Sequence, residues 1–197
     1  KVATQMGTQI RATDNYRRVV ELVQSGAIGP VREAHVWCSR TINPIGAPVL
    51  ERQSPPDWFH WDEWQGPAPD RYHNQGYWKG GNLNWNRRWD YGNGVLGDMG
   101  SHLIDLPWWA LELNTPLTCE AHGPKADAVA CPPWMRVTWE HAARKGRAAF
   151  EVPVKVVWYH GGRSKRDRPN IDTGIDLGKW FNGILFVGDK GMLLADY

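Results

Sequence analysis

The chain has 197 residues, 42% hydrophobic and 22% charged, with a formal net charge of +2. That length fits one or two domains, and so balanced a charge argues against a nucleic-acid partner. The 13 tryptophans exclude a disordered chain, since disordered sequences are poor in large aromatics.

No apolar run approaches the ~20 residues that a membrane-spanning helix needs, so no membrane partner is expected. Three cysteines cannot all pair with one another, and none stands in a CxxC spacing. This argues against a disulfide scaffold and a structural zinc site. Lys1–Ile10 lacks the apolar stretch of a signal peptide. Leu193–Tyr197 stops within an apolar, strand-like run, and both ends read as cuts from something longer.

In chain order, Lys1–Thr8 reads as the tail of a strand and a loop. Thr13 or Asp14 then caps a helix through Gln24, with Val19, Val20, Leu22 and Val23 as its apolar face and Gly26 just past its end. After a break at Gly29-Pro30, Val31–Ser39 alternates as a strand. Ala34, Val36 and Cys38 point one way and Glu33, His35 and Trp37 the other. Residues 40–94 are rich in Pro, Gly, Asn and Trp and keep no period; so long an irregular stretch is usually functional.

Ser101–Leu113 reads as a helix that Pro107 kinks or whose start it shifts. Pro133–His141 and Arg147–His160 have strand character. Gly161–Asn170 reads as a basic turn, with Arg163–Arg168 solvated. Gly183–Val187 and Gly191–Ala195 form a hairpin around Gly188-Asp189-Lys190-Gly191. There is no internal repeat. Strand after strand with short connections implies an α+β fold, a mostly antiparallel sheet with helices on one face.

The strongest chemical signal runs from Gly97 to Asp105 (GDMGSHLID). On a continuous helix Asp98 lies ~40° from His102 and ~20° from Asp105, so two carboxylates and an imidazole share a face. A carboxylate one turn from a histidine can orient the ring and raise its basicity, the wiring of a general acid/base. Plainer readings stand beside this one: Asp98 as an N-cap, His102 as a first-turn surface residue, Asp105 as a solvated charge. A metal site on the three has no supporting ligand motif. Gly92–Gly97 matches G-x-G-x-x-G, but Asn84–Tyr91 before it is polar and aromatic rather than a buried strand. Its glycines are expected to serve a tight turn and close backbone approach.

Trp58, Phe59, Trp61, Trp64, Tyr72, Tyr77, Trp78, Trp85, Trp89 and Tyr91 crowd one segment, interleaved with charged residues that include Arg87 and Asp90. Flat aromatic faces beside polar groups suit sugar rings. The alternative is that these rings staple a long loop to the sheet by burying large areas. Trp61, Trp64, Trp85, Arg87, Trp89 and Asp90 are the candidates for a substrate wall.

The stretch Gly94–Asp105 resembles the G-x-x-x-D-x-x-x-H-x-x-D signature of the glucose–fructose oxidoreductase, inositol dehydrogenase and MocA family. Thr4–Gly7 with the helix to Gly26, Trp61–Pro69 (WDEWQGPAP) and Trp89–Gly94 (WDYGNG) resemble its Trp-rich bacterial branch. The resemblance implies a two-domain NAD- or NADP-dependent oxidoreductase, of which this chain carries the C-terminal α+β domain with its large, mostly antiparallel open sheet. Residues 1–30 would be the last strand and crossing helix of the nucleotide-binding domain, and 31–197 the substrate-binding and oligomerisation domain, cut at its end. The Rossmann glycine loop and the Glu-Lys-Pro motif have no counterpart here.

By the same resemblance, His102 would exchange the proton of a sugar or polyol hydroxyl. Asp98 would orient substrate or histidine, and Asp105, counted with the substrate-binding residues, would support them. A homo-oligomer through the sheet is implied as well. Two other readings stay open: NAD-dependent glycoside cleavage without net redox change, and a non-catalytic carbohydrate-binding or oligomerisation domain. The compartment stays open between cytoplasm and bacterial periplasm.

Overall fold

A computed structural model describes residues 1–4, 7, 9–40, 51–146, 150–162 and 164–196. The expectations for Gln5, Met6 and Thr8, for 41–50, for 147–149, and for Arg163 and Tyr197 lie outside these.

Helix α1 spans Asp14–Gln24, with Thr13 extended just before it. It ends where Gly26 takes φ 76°, a conformation that a side chain disfavours. Its buried face is Tyr16, Val19, Val20 and Val23. Leu22, expected on that face, is 46% exposed, because it stands ~120° round the helix from Tyr16.

Strand β1 (Val31–Cys38) alternates as its sequence suggests, yet both of its faces are buried. That marks a central strand. The others are β2 (Thr118–His122), β3 (Met135–His141), β4 (Val154–His160), β5 (Asn182–Gly188) and β6 (Gly191–Ala195). They form one open sheet in the order β2-β3-β4-β1-β5-β6. Only β1 and β4 run parallel; every other neighbouring pair is antiparallel. β5 and β6 make the expected hairpin, closing with Gly188 opposite Gly191. Strand β4 begins at Val154, later than the sequence suggested, and β2 is an edge strand exposed along its whole length.

Between β1 and β2 lie two short helices, α2 (Trp61–Gln65) and α3 (Asn82–Trp85), then α4 (Gly94–Leu103) and α5 (Asp105–Ala110). The helix expected from Ser101 thus begins at Gly94 and is interrupted at Ile104. Pro107 explains the interruption, since it has no N–H to give the carbonyl of Leu103 and its ring crowds that carbonyl. The ladder resumes around it through Ile104 N–H to Gly100 O (2.8 Å) and Trp108 N–H to Ile104 O (3.1 Å).

The main core lies between helices and sheet. Tyr16 and Val23 of α1, Val95, Met99 and Leu103 of α4, and Leu106 and Ala110 of α5 pack on Ala34, Val36, Val156, Trp158, Ile184 and Phe186. On the opposite face Trp37, Val157, Tyr159 and Leu185 are covered by Ile171, Leu177 and Trp180. The architecture is α+β with the helices on one side. No helix among the described residues is long and apolar enough to cross a membrane.

Candidate active site

Val95, Met99 and Leu103 recur every four residues and fix α4 against the sheet. Asp98 and His102 each precede one of these anchors, so they stand ~100° round the helix on its flank, both half-buried. The helix is held at both ends of this pair. The Tyr16 hydroxyl donates to the His102 carbonyl at 2.9 Å, and the Arg40 guanidinium forms an ion pair with the Asp98 carboxylate. Arg40 stands just beyond β1, so the sheet's central strand and α4 meet at Asp98. Asp105 opens α5 and pairs with Arg11, whose guanidinium lies 4.6 Å from the Trp109 ring centre. Among the described residues, no three His, Cys, Asp or Glu side chains gather so as to hold a metal ion.

A buried arginine organises the same end of β1. All five N–H positions of Arg168 are engaged: Nε with Leu177 O (3.4 Å), Nη1 with Gly162 O (3.0 Å) and Asp167 O (2.8 Å), Nη2 with Trp180 O (3.0 Å) and with Ser39 Oγ. The expectation of a solvated basic turn is corrected here, for Asp167 and Arg168 are both buried. A guanidinium tolerates burial only when its donors are satisfied, and carbonyls of the surrounding loop supply that. Beside it, burial pushes the Cys38 thiol up, against the pull of Arg40 and Arg168, while Asp98 pushes it further. Cys38 is therefore a neutral thiol and a packing residue.

The aromatic segment divides in two. Trp61 stacks on Trp64 (5.2 Å between centres, 18° between planes), and Phe59, His73, Tyr77, Trp78 and Tyr91 close round them. Within this cluster, burial and the nearby Tyr77 push the Tyr91 phenol up to about 12. Asp90 receives Arg71 Nε at 2.7 Å and Nη2 at 2.6 Å, tying the cluster to the approach to α4. Trp85 is half-buried, and a Cβ on Gly92 would lie 3.3 Å from its ring. Arg87 accepts Cys131 N–H at its carbonyl (2.7 Å).

Trp89 stands apart from that cluster, 46% exposed, with its indole N–H on Asp127 O (3.1 Å). It lines two cavities that also share Pro132 and Met135. One, of about 250 Å³, runs along 121–133; the other, of about 340 Å³, borders Asn93–Gly97 at the start of α4. Arg11, Arg40 and Arg168 carried no sequence signal as partners of Asp105, Asp98 and Ser39, which lie 94, 58 and 129 residues away.

The string Gly92–Gly97 does not form a dinucleotide cradle. It follows only an isolated bridge between Arg88 and Ala130. A Cβ on Gly92 would meet Asn86 Cα at 2.6 Å, and one on Gly97 would meet Asn93 Cβ at 2.5 Å. These glycines permit close packing within the chain rather than the approach of a phosphate.

The model of the oxidoreductase family C-terminal alpha/beta domain, in the glucose–fructose oxidoreductase, inositol dehydrogenase and MocA group, matches residues 15–146. The chain belongs to that family, and the match covers α1 through β3 with Asp98, His102 and the aromatic segment. No curated protein matches the chain significantly.

Proposed function

We propose that the intact protein is an NAD(P)-dependent oxidoreductase that oxidises a hydroxyl of a sugar or polyol. Membership of an oxidoreductase family gives the class. The observation that carries the chemistry is the pairing of Asp98 and His102 one turn apart on α4, with Asp98 held by Arg40. The dinucleotide supplies the hydride acceptor, and a nucleotide-binding domain of the family's kind would hold most of it.

This chain's residues handle the proton. An alcohol carbon gives up hydride readily only as its hydroxyl proton leaves, and His102 is the base that takes it. Asp98, fixed by the guanidinium, presents a carboxylate on the same flank to orient a hydroxyl or the imidazole. The test is His102→Ala in the full-length protein, assayed with NAD and NADP on sugars and polyols. Turnover is expected to fall by about 10²–10⁴-fold, the usual worth of a general base, with cofactor affinity retained. Unchanged turnover would overturn the assignment.

A further inference from the structure

A cavity of about 410 Å³ opens between residues 52–55 and 70–73, with Trp61 as a wall. It lies within the ~300–1,000 Å³ range typical of small-molecule sites. Both of its sides are pinned. Gln53 N–H donates to His73 O (2.9 Å), Gln75 N–H to Gln53 Oε1 (3.1 Å), and Asn74 Nδ2 to Glu51 O (2.5 Å). His73 is fixed between Gln53 O at Nδ1 (3.2 Å) and the Trp78 indole N–H at Nε2 (3.0 Å). The indole N–H of Trp61 is locked on Arg71 O at 2.7 Å, and Trp64 covers one of its faces.

The wall is therefore preformed, while the groups at its rim are unspent. Among the described residues, the side chains of Arg52, Ser54, Asp70 and Tyr72 have no hydrogen bond or ion pair. The rim combines a guanidinium that only donates, a carboxylate that only accepts and two hydroxyls that do both. A neutral polyhydroxylated ring matches such a set, because each of its hydroxyls can donate and accept at once. The aromatic wall takes the C–H face of the same ring. A phosphate would meet the Asp70 carboxylate, and a purely apolar ligand would strip water from four polar groups without return.

We infer that this pocket is a binding subsite for a pyranose ring, separate from the Asp98–His102 pair. The choice of a sugar as its ligand rests on the carbohydrate reading above. The pocket shares no residue with α4, so sugar binding there stands apart from the chemistry assigned to His102.

The test uses the full-length protein and ligand-observed NMR. The probes are the methyl pyranosides of glucose, galactose, mannose, xylose and N-acetylglucosamine. At least one is expected to bind. Its affinity should fall at least about tenfold in Trp61→Ala and in Arg52→Ala, the loss expected when a hydrogen bond to a charged group goes. Arg52 is exposed, so its variant keeps the fold if Trp61→Ala does not. His102→Ala should keep the binding. The proposal is overturned if no probe binds, if binding is unchanged in Arg52→Ala, or if it is lost in His102→Ala. Full turnover in His102→Ala would instead sink the oxidoreductase mechanism and leave the subsite standing.

Discussion

The Arg40 guanidinium meets the Asp98 carboxylate across 58 residues of sequence, joining the end of β1 to the helix that carries His102. The Asp98 side chain is 14% exposed, so its charge needs that partner. Arg40→Ala in the full-length protein is expected to lower turnover by about tenfold or more, the worth of a hydrogen bond between charged groups. Arg40→Lys should recover part of the loss, since lysine supplies the charge without the planar fork. Steady-state kinetics check this; wild-type turnover in Arg40→Ala would remove Asp98's positioning from the mechanism.

Arg168 serves the same end of β1 through packing rather than charge pairing. Its removal takes a donor from four carbonyls and the Ser39 hydroxyl; Trp180 O keeps the Trp37 indole and Leu177 O keeps the Trp180 N–H. Arg168→Ala is expected to cost about 2–4 kcal/mol, since each buried acceptor left unsatisfied costs about 1–3 kcal/mol and water reaches some of them. Lysine has three donors and no fork, so Arg168→Lys should restore little. Urea unfolding at neutral pH reads both variants. A loss under about 1 kcal/mol would mean that water or loop movement replaces the guanidinium.

The contrast between these arginines and the elements around them shows what sequence reveals. Helix α1, β1 and the β5–β6 hairpin rest on local signals: an apolar stripe, strict alternation, and glycines at a turn. They emerge almost at their observed bounds. Strand β2 (TCEAH) lies exposed at the sheet edge; its alternation is carried only by the small Cys119 and Ala121, too weak a signal to set its bounds. The parallel pairing of β1 with β4 is decided by how the intervening chain crosses, which no local window contains. The Asp98–His102 spacing was legible because it is helical and local. Their partners come from distant strands and loops, and an arginine in an irregular stretch looks the same whether it faces water or a carboxylate.

Acid should destabilise the fold well above the carboxylate range. His160 is buried on β4, where its Nδ1 accepts the Trp158 indole N–H (2.8 Å) and its Nε2 faces Pro132 O (3.3 Å). Burial pushes its pKa down to about 4, against the pull of Pro132 O and Asp167. The folded state thus holds it neutral while the unfolded chain takes up a proton near 6.5. This contribution is complete above pH ~6.5 and is lost as pH falls towards and through about 4. It amounts to about 3 kcal/mol at most. His35, also pushed down by burial although Glu33 opposes, acts in the same direction. Urea midpoints between pH 7.5 and 4.5 should fall steadily in the wild type, and His160→Gln should flatten the slope. An equal slope in both proteins would assign the acid sensitivity elsewhere.

The opposite face of the sheet offers a purely steric test. Gly183 on β5 pairs with Trp37 on β1, and a Cβ there would stand 2.1 Å from Trp37 Cζ2 and 2.6 Å from Cη2. The indole cannot simply swing aside, because its N–H is bonded to Trp180 O at 3.1 Å and the ring is fully buried. Gly183→Ala is therefore expected to destabilise by about 1–3 kcal/mol, the usual cost of overpacking a core. Trp37→Leu alone should also destabilise, chiefly by leaving a cavity, since the Trp180 carbonyl keeps Arg168 as a donor. In the double variant the added methyl enters the vacated space, so the combined loss should be smaller than the sum of the two. A double-mutant cycle by urea unfolding measures the coupling. Strict additivity would show that β5 moves away from the added methyl rather than pressing it against Trp37.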